Sequence, residues 1–385
     1  MTTAALRLQG NAPEPATPAT ERQIASPLSA AAPLSPWIVT ARYDLFFTLI
    51  AWLLPFALWA VASTGNTGLL VAALTFLLID TTHQMASLPI TIFDREVLRA
   101  NRAFYLVGIA GLLAIACTVA TTRGLAEQIW ISLFVYWGIY HLIRQHIGFL
   151  RLYQVRGGMR DKRENSAQHI CLYAGTAMAA LFNLSRHMPM LDRAGIAHFN
   201  LREEFWWAAA AIFAGALAVV VRDCYRRRSR DESIAWLPLG YILLVLSNFW
   251  VGLMFAGRDE LIIGVFFVSA FHDFQYYAIV WFMARRRHQA EPRAAGPLSW
   301  VFTGRTALPY LVFIALGGVL IEVVQQRWAP LRMALERVSP QLPVYVFAIF
   351  GSTQYIHFYL DQRAWRLRND VRLRRDLLSP VAIAR

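Results

Sequence analysis

The sequence has little charge for its length, and this argues against an ordinary water-soluble protein. Of its 385 residues, 16% are charged and 57% are hydrophobic, whereas a typical soluble domain carries roughly 25% charged residues. The apolar excess must face lipid. We therefore expect an all-α, polytopic transmembrane helical bundle, because a helix satisfies its own backbone hydrogen bonds inside a bilayer.

Cysteine is scarce, and nucleotide-binding fingerprints are missing. The three cysteines have neither a CxxC motif nor metal-ligand spacing, which argues against disulfides and a thiolate cluster (Cys117, Cys171 and Cys224). No Rossmann or P-loop pattern occurs, so no nucleotide cofactor is expected. The net charge is +13. Its Lys and Arg residues lie between apolar segments, which favours anchoring at an anionic membrane surface over nucleic acid binding.

Ten segments are apolar enough for a span of about 20 residues. They are 45–63, 67–91, 103–122, 128–150, 168–184, 205–222, 235–256, 261–284, 308–326 and 343–361. We accordingly predict a transmembrane domain over 42–361 and a basic cytoplasmic tail over 362–385. Residues 1–41 are rich in Ala, Pro, Thr and Ser and are predicted to be a disordered tail.

Basic residues are concentrated in alternate loops of this ten-span scheme. One set of loops, together with both terminal tails, holds 28 of the 37 Lys and Arg residues, counting Arg222 at the end of the sixth segment. The other set holds 8, and Arg144 lies within a segment. The positive-inside rule then predicts cytoplasmic N- and C-termini, most simply in a bacterial inner membrane.

Six of the nine histidines lie in or beside the predicted spans, at mid-membrane or cytoplasmic depth. Intramembrane ionisable groups are costly, so each is a functional-site hypothesis. Asp80 and His83 are three residues apart, and His357 and Asp361 are four apart, which places each pair on one helical face. The candidate metal ligands are His83, His141, His146, His272, His357, Asp80, Asp273 and Asp361. His169 is either a further ligand or a cap of the fifth span.

Several polar residues near these histidines are candidates for substrate binding. They are Arg144, Gln145, Gln275, Tyr276 and Gln354. Arg144 has three open interpretations: it extends to the interface, pairs with Asp80 or Asp361, or binds an anionic substrate group. His187, His198 and His288 are predicted to be solvated.

His141 and His146 form an HxxxxH box, which resembles the boxes of the integral-membrane desaturase and hydroxylase superfamily. That resemblance implies two non-haem iron ions near the cytoplasmic face. The chain departs from the family pattern, because it has no HxxHH box and more spans than the family's usual four or so. The resemblance carries over ligand roles to His141 and His146 only.

The leading hypothesis is a metal-dependent membrane oxidoreductase that uses two iron ions to hydroxylate or desaturate a hydrophobic, lipid-like substrate. Its reductant would come from a separate electron-donor protein docking on the basic face. A b-type haem protein, with two histidines as axial ligands, remains open. So do a proton-coupled transporter and a metal-independent transferase with one catalytic histidine.

Overall fold

The computed structural model describes residues 35–122, 124–159, 161–197, 203–257, 261–290, 297–303, 306–325, 329–365 and 371–378. Within these ranges the chain forms sixteen α-helices and no strand. The helices are α1 (Ala41–Ala62), α2 (Asn66–Ala86), α3 (Arg95–Ala100), α4 (Arg102–Thr122), α5 (Leu125–Arg156), α6 (Lys162–Arg186), α7 (Met188–Arg193), α8 (Glu203–Ser229), α9 (Trp236–Phe249), α10 (Leu261–Ala290), α11 (Trp300–Thr303), α12 (Leu308–Gln325), α13 (Ala329–Val338), α14 (Leu342–Gly351), α15 (Thr353–Ala364) and α16 (Val371–Leu378).

Seven helices of the described chain are long and apolar enough to cross a membrane. They are α1, α2 with the 3-10 turn that follows it, α4, α8, α9 with the π-helical turn that follows it, α10 and α12. This confirms the all-helical prediction, and the apolar helices suggest a membrane protein. Leucine, valine and phenylalanine side chains remain exposed along α1, α2 and α4, where lipid would cover them.

The other three predicted spans differ from these seven in composition or continuity. α5 and α6 extend well past the predicted apolar segments and include charged residues at their ends, such as Arg156 and Lys162. The tenth predicted span is two helices, α14 and α15, which meet at Ser352. Each of these two helices is about 15–18 Å long, shorter than the roughly 30 Å hydrocarbon core.

Helix α10 lies inside the bundle and is surrounded by other helices. Most of its length is buried, and it contacts α1, α2, α5, α9 and α16. Its aromatic side chains Phe267, Phe271 and Tyr276 are fully buried. The residues that α10 contributes to any functional site are therefore held by close packing rather than by a loop.

A π-helical turn, Trp250–Ala256, interrupts the helix that begins as α9. A π-turn leaves some carbonyl oxygens without their usual partners. Asn183 on α6 compensates, because its side-chain amide donates to the carbonyls of Leu253 at 2.8 Å and Gly257 at 2.9 Å. In a membrane such freed backbone groups must bond to neighbouring helices.

The described parts of both predicted tails pack against the bundle. Ile38 is buried, and its backbone N–H donates to the Asp44 carboxylate at 2.5 Å. Near the C-terminus, Asp376 on α16 is buried and pairs with Arg287 at 2.6 Å. The rest of these tails, 1–34, 366–370 and 379–385, lies outside the described residues.

Close packing of α12 on α2 yields a prediction about stability. A Cβ added at Gly318 would approach the Thr82 backbone to 2.8 Å, whereas one added at Gly111 on α4 would meet nothing within 4 Å. Overpacking costs typically about 1–3 kcal/mol. We expect Gly318→Ile to lower the free energy of unfolding by about that amount, measured by denaturation of the purified protein in detergent. Gly111→Ile is the matched control; equal stability of the two variants would contradict the proposed helix contact.

Candidate metal centre

Four helices bring four buried histidines into contact. His83 lies on α2, His141 on α5, His272 on α10 and His357 on α15, and none is more than 8% exposed. The ring centroid of His83 lies 4.3 Å from that of His357 and 4.7 Å from that of His272. The His141 ring lies 5.0 Å from His272 and 5.1 Å from His357. Residues separated by up to 274 positions in the sequence thus share one small volume.

Their donor atoms form two groups, in each of which the atoms lie within 4.8 Å of one another. We call His83, His141 and His357 the first donor group, and His83, His272 and Asp273 the second donor group. Asp361 adjoins the first donor group, since its Oδ2 lies 3.9 Å from His141 Nε2 and 3.8 Å from His357 Nε2. His83 belongs to both groups and so links them.

Distances within the groups suit a shared cation better than hydrogen bonding. In the second donor group, Asp273 Oδ1 lies 3.4 Å from His83 Nδ1 and 4.0 Å from His272 Nε2. Direct hydrogen bonds are usually shorter than about 3.2 Å. Ligands about 2.0–2.2 Å from a common ion lie roughly 3–4 Å apart. One exception is the His83 Nε2–His272 Nε2 distance of 3.1 Å, which is that of a hydrogen bond.

Many buried donor atoms of the centre have no hydrogen-bond partner among the described residues. They are His83 Nδ1, His141 Nε2, His146 Nε2, His272 Nδ1, Asp273 Oδ2, His357 Nε2 and Asp361 Oδ2. Each unsatisfied buried polar group costs about 1–3 kcal/mol. A bound metal ion would satisfy several of them at once, so imidazole and carboxylate donors here fit a metal such as iron or zinc.

Polar neighbours orient the ligating side chains from outside the centre. Ser87 Oγ lies 3.2 Å from His357 Nδ1, which leaves His357 Nε2 directed toward Asp361. The Tyr276 hydroxyl donates to Asp361 Oδ1 at 2.6 Å, leaving Oδ2 for the centre. Such outer contacts fix ligand orientation and are typical of metal sites.

His146 flanks the centre without belonging to either donor group. Its ring lies 6.2 Å from that of His272 and its Nδ1 is 2.9 Å from the Tyr241 hydroxyl. That hydroxyl donates to Gln275 Oε1, so its oxygen accepts from His146 Nδ1–H. This network assigns the proton to Nδ1 and leaves the Nε2 lone pair free, as metal binding requires.

The residues predicted to bind substrate lie in different surroundings. Gln145 donates to the His272 carbonyl at 3.0 Å and thereby ties α5 to α10. Gln275 accepts from Tyr241 and so belongs to the network around His146, whereas Tyr276 holds Asp361. The buried Gln354 Oε1 has no partner among the described residues. Arg144 donates to the Tyr173 hydroxyl at 2.6 Å rather than to Asp80 or Asp361.

Two further predicted residues lie apart from the donor groups. Asp80, one turn before His83, is in neither group. His169 Nε2 lies 2.9 Å from Gln154 Oε1 and is likewise in neither group. Of the histidines predicted to be solvated, His187 is instead buried, and its Nδ1 lies 2.8 Å from the Asn183 carbonyl oxygen. His198 is outside the described residues.

A cavity of about 560 Å³ opens beside the centre between α5, α6 and α15. It reaches His141 and the adjoining Asp361, so the first donor group is accessible from it. The rest of its lining is largely aromatic and aliphatic and also includes polar residues. Its volume falls within the roughly 300–1,000 Å³ of small-molecule binding sites.

Sequence reasoning missed Ser87 and Tyr241, the residues that orient His357 and His146. Ser87 follows His83 by four residues, so helical periodicity offered a weak signal. Tyr241 lies in an apolar span with no nearby histidine in sequence, and only the tertiary fold brings it to His146. Comparison of the chain with protein-family models, with curated proteins and with solved structures finds no match.

Because His83 belongs to both donor groups, we predict that replacing it removes more metal than replacing His272 does. His83→Ala removes a ligand from both donor groups, whereas His272→Ala affects the second donor group alone. We expect His83→Ala to abolish metal binding and His272→Ala to retain about half of the wild-type metal, measured by elemental analysis of purified protein.

His288→Ala is the matched control, because His288 lies near the end of α10 and outside both donor groups. It should leave metal content unchanged. Equal metal content in His83→Ala, His288→Ala and wild-type protein would show that the donor groups do not bind metal.

Proposed function

We propose that this chain is a membrane-embedded non-haem iron oxidoreductase, which holds two iron ions and hydroxylates or desaturates a hydrophobic substrate. The second donor group carries this proposal, because two histidines and one carboxylate are the ligand set typical of non-haem iron sites that activate O2. The first donor group would hold the second ion through His141 and His357, with Asp361 beside them, while His83 is common to both groups.

Iron bound at the centre would supply O2 activation. Hydroxylation breaks one substrate C–H bond and inserts one oxygen atom of O2, while two electrons and two protons reduce the other atom to water. Desaturation removes two hydrogen atoms from the substrate, and two further electrons and protons complete the reduction of O2 to two waters. A separate one-electron carrier protein, docking on the basic face, is the proposed source of electrons.

The chain's own residues position the ligands and exclude water. His83, His272 and His357 are each about 1% exposed, so bulk water has no direct access to them. Tyr276 holds the Asp361 carboxylate through a 2.6 Å hydrogen bond. Substrate would approach from the cavity, where Trp137 and Phe358 offer an apolar surface next to His141.

Two separate metal ions fit the histidine cluster better than a haem group does. Five of the six pairs among the four imidazole rings of the donor groups have centroid separations from 4.3 to 6.2 Å. Axial haem ligation needs a flat space for the macrocycle between two histidines. Neighbouring rings and carboxylates fill that space around His83.

Metal content and optical spectra test this proposal. Full-length protein purified from iron-replete cells should hold about two iron ions per chain, as two donor groups predict, and its spectrum should lack a Soret band. Asp273→Asn should lower iron content by removing the carboxylate charge while preserving side-chain volume. A folded, metal-free wild-type protein, or one with a Soret band, would rule the proposal out.

We further propose ten membrane crossings in a bacterial inner membrane, with α5, α6 and the α14–α15 pair added to the seven apolar helices, and both termini in the cytoplasm. The α5–α6 connection then lies in the cytoplasm, whereas it lies outside if α5 and α6 do not cross. With native cysteines replaced, a membrane-impermeant maleimide should label Ser63→Cys in intact cells but not Lys162→Cys. Labelling of both would contradict the ten-crossing scheme.

A further inference from the structure

The lining of the cavity beside the first donor group includes polar residues that the proposed metal chemistry does not use. Its lining includes Arg144, Arg151, His169 and Tyr173, together with the apolar groups already described. The two arginines are basic residues in the wall of a cavity that also reaches His141. Charged side chains so placed call for an explanation in terms of a ligand or a solvent-facing role.

One face of α5 contributes a row of residues to the cavity lining. Trp137, His141, Arg144, Gly148 and Arg151 follow at spacings of three and four residues and all line it. Such spacings lie along one helical face. The Cα atoms of His141 and Arg151 are therefore about 15 Å apart along the helix axis. The helix surface changes from aromatic, through a metal ligand, to cationic.

Neither arginine pairs with a carboxylate in the described parts of the chain. Arg144 donates to the neutral Tyr173 hydroxyl at 2.6 Å. Arg151 makes no ion pair with a described residue, although it lies close enough to His169 to act on it electrostatically. Asp361 is the one carboxylate among the cavity-lining residues, and it lies next to His141 and His357 instead.

A guanidinium group binds oxyanions with paired, directional hydrogen bonds. We propose that the cavity binds an amphiphile with a single anionic oxyacid headgroup, carboxylate or phosphate, held by Arg144 and Arg151, and with its apolar chain directed toward His141. That this amphiphile is the substrate rests on the proposed function. Gly148 lies between the two arginines, and no side chain there fills the space in which a headgroup would sit.

Three ligands with the same chain and different headgroups test the proposal. Binding of radiolabelled dodecanoate, dodecyl phosphate and dodecan-1-ol is measured on the full-length protein in phosphatidylcholine nanodiscs. A hydrogen bond to a charged group contributes about 1.5–3 kcal/mol, which is roughly a 10- to 150-fold change in affinity. At least one of the two anions should therefore bind at least about tenfold more tightly than the alcohol.

Variants assign this preference to the arginines. Arg144→Gln and Arg151→Gln should each reduce anion affinity about tenfold or more without changing alcohol affinity. Arg228→Gln, at an exposed position near the end of α8, is the matched control and should have no effect. Tyr173→Phe is the control for misfolding. It removes the hydroxyl that accepts from Arg144 but keeps both arginine charges, so anion binding should persist.

The source of the headgroup is resolved by lipid composition. If phosphatidylglycerol nanodiscs suppress dodecanoate binding in proportion to lipid content, the site takes an anionic bilayer lipid; otherwise it takes a free amphiphile. Equal affinity of both anions and the alcohol, or an unchanged preference in both arginine variants, would overturn the proposal. Iron content measured on the same samples separates the two hypotheses, since arginine-dependent binding to a metal-free protein would leave this site standing while the proposed function falls.

Discussion

The constraint on which the rest of this structure depends is the cost of placing polar donor atoms in an apolar helical bundle. His83, His141, His272 and His357 would each be destabilising if buried alone, because an unsatisfied polar group costs about 1–3 kcal/mol. Their convergence at one place changes that balance, since a single cation can satisfy several donors. The apolar bundle around them would strengthen the attraction between such a cation and its donor atoms, because the local dielectric constant is low.

Rigidity of the centre comes from helices rather than loops. The residues of the donor groups lie on α2, α5, α10 and α15, and α10, which provides His272 and Asp273, is buried along most of its length. Gln145 ties α5 to the backbone at His272, and Ser87 ties the end of α2 to His357. Displacement of one helix would therefore change several distances between donor atoms at once, and these contacts oppose it. Metal sites require donor atoms that are held in place in this way.

The sequence predicted the helical bundle and singled out the residues that meet in the two donor groups, because both inferences depend on local patterns. Apolar runs identify spans, and the spacing of His357 and Asp361 places them on one face of a helix. Local patterns do not show which helices pack together. Asp80 satisfies the same spacing rule relative to His83 yet is in neither donor group, whereas Asp273, adjacent to His272, is in one. Tyr241 acts through a contact between residues 95 positions apart, which no local pattern encodes.

The break between α14 and α15 was not predicted, although Gly351 and Ser352 give a weak local signal for it. It precedes the segment of α15 that reaches the centre. α14 packs on α4 and α12, while α15 also contacts α2 and α5. The break exposes the Phe350 carbonyl, which accepts from Gln325 Nε2 at 3.0 Å and Thr353 Oγ1 at 2.7 Å.

Thr353 also contacts Gln84, the neighbour of His83, at 2.5 Å. Broken helices are tolerated at membrane depth where neighbouring groups satisfy the freed backbone. Here the groups that stabilise the break come from α12 and α2, and α2 itself carries His83. The break that precedes His357 and Asp361 is therefore stabilised in part by α2, the helix that carries His83, the residue common to both donor groups.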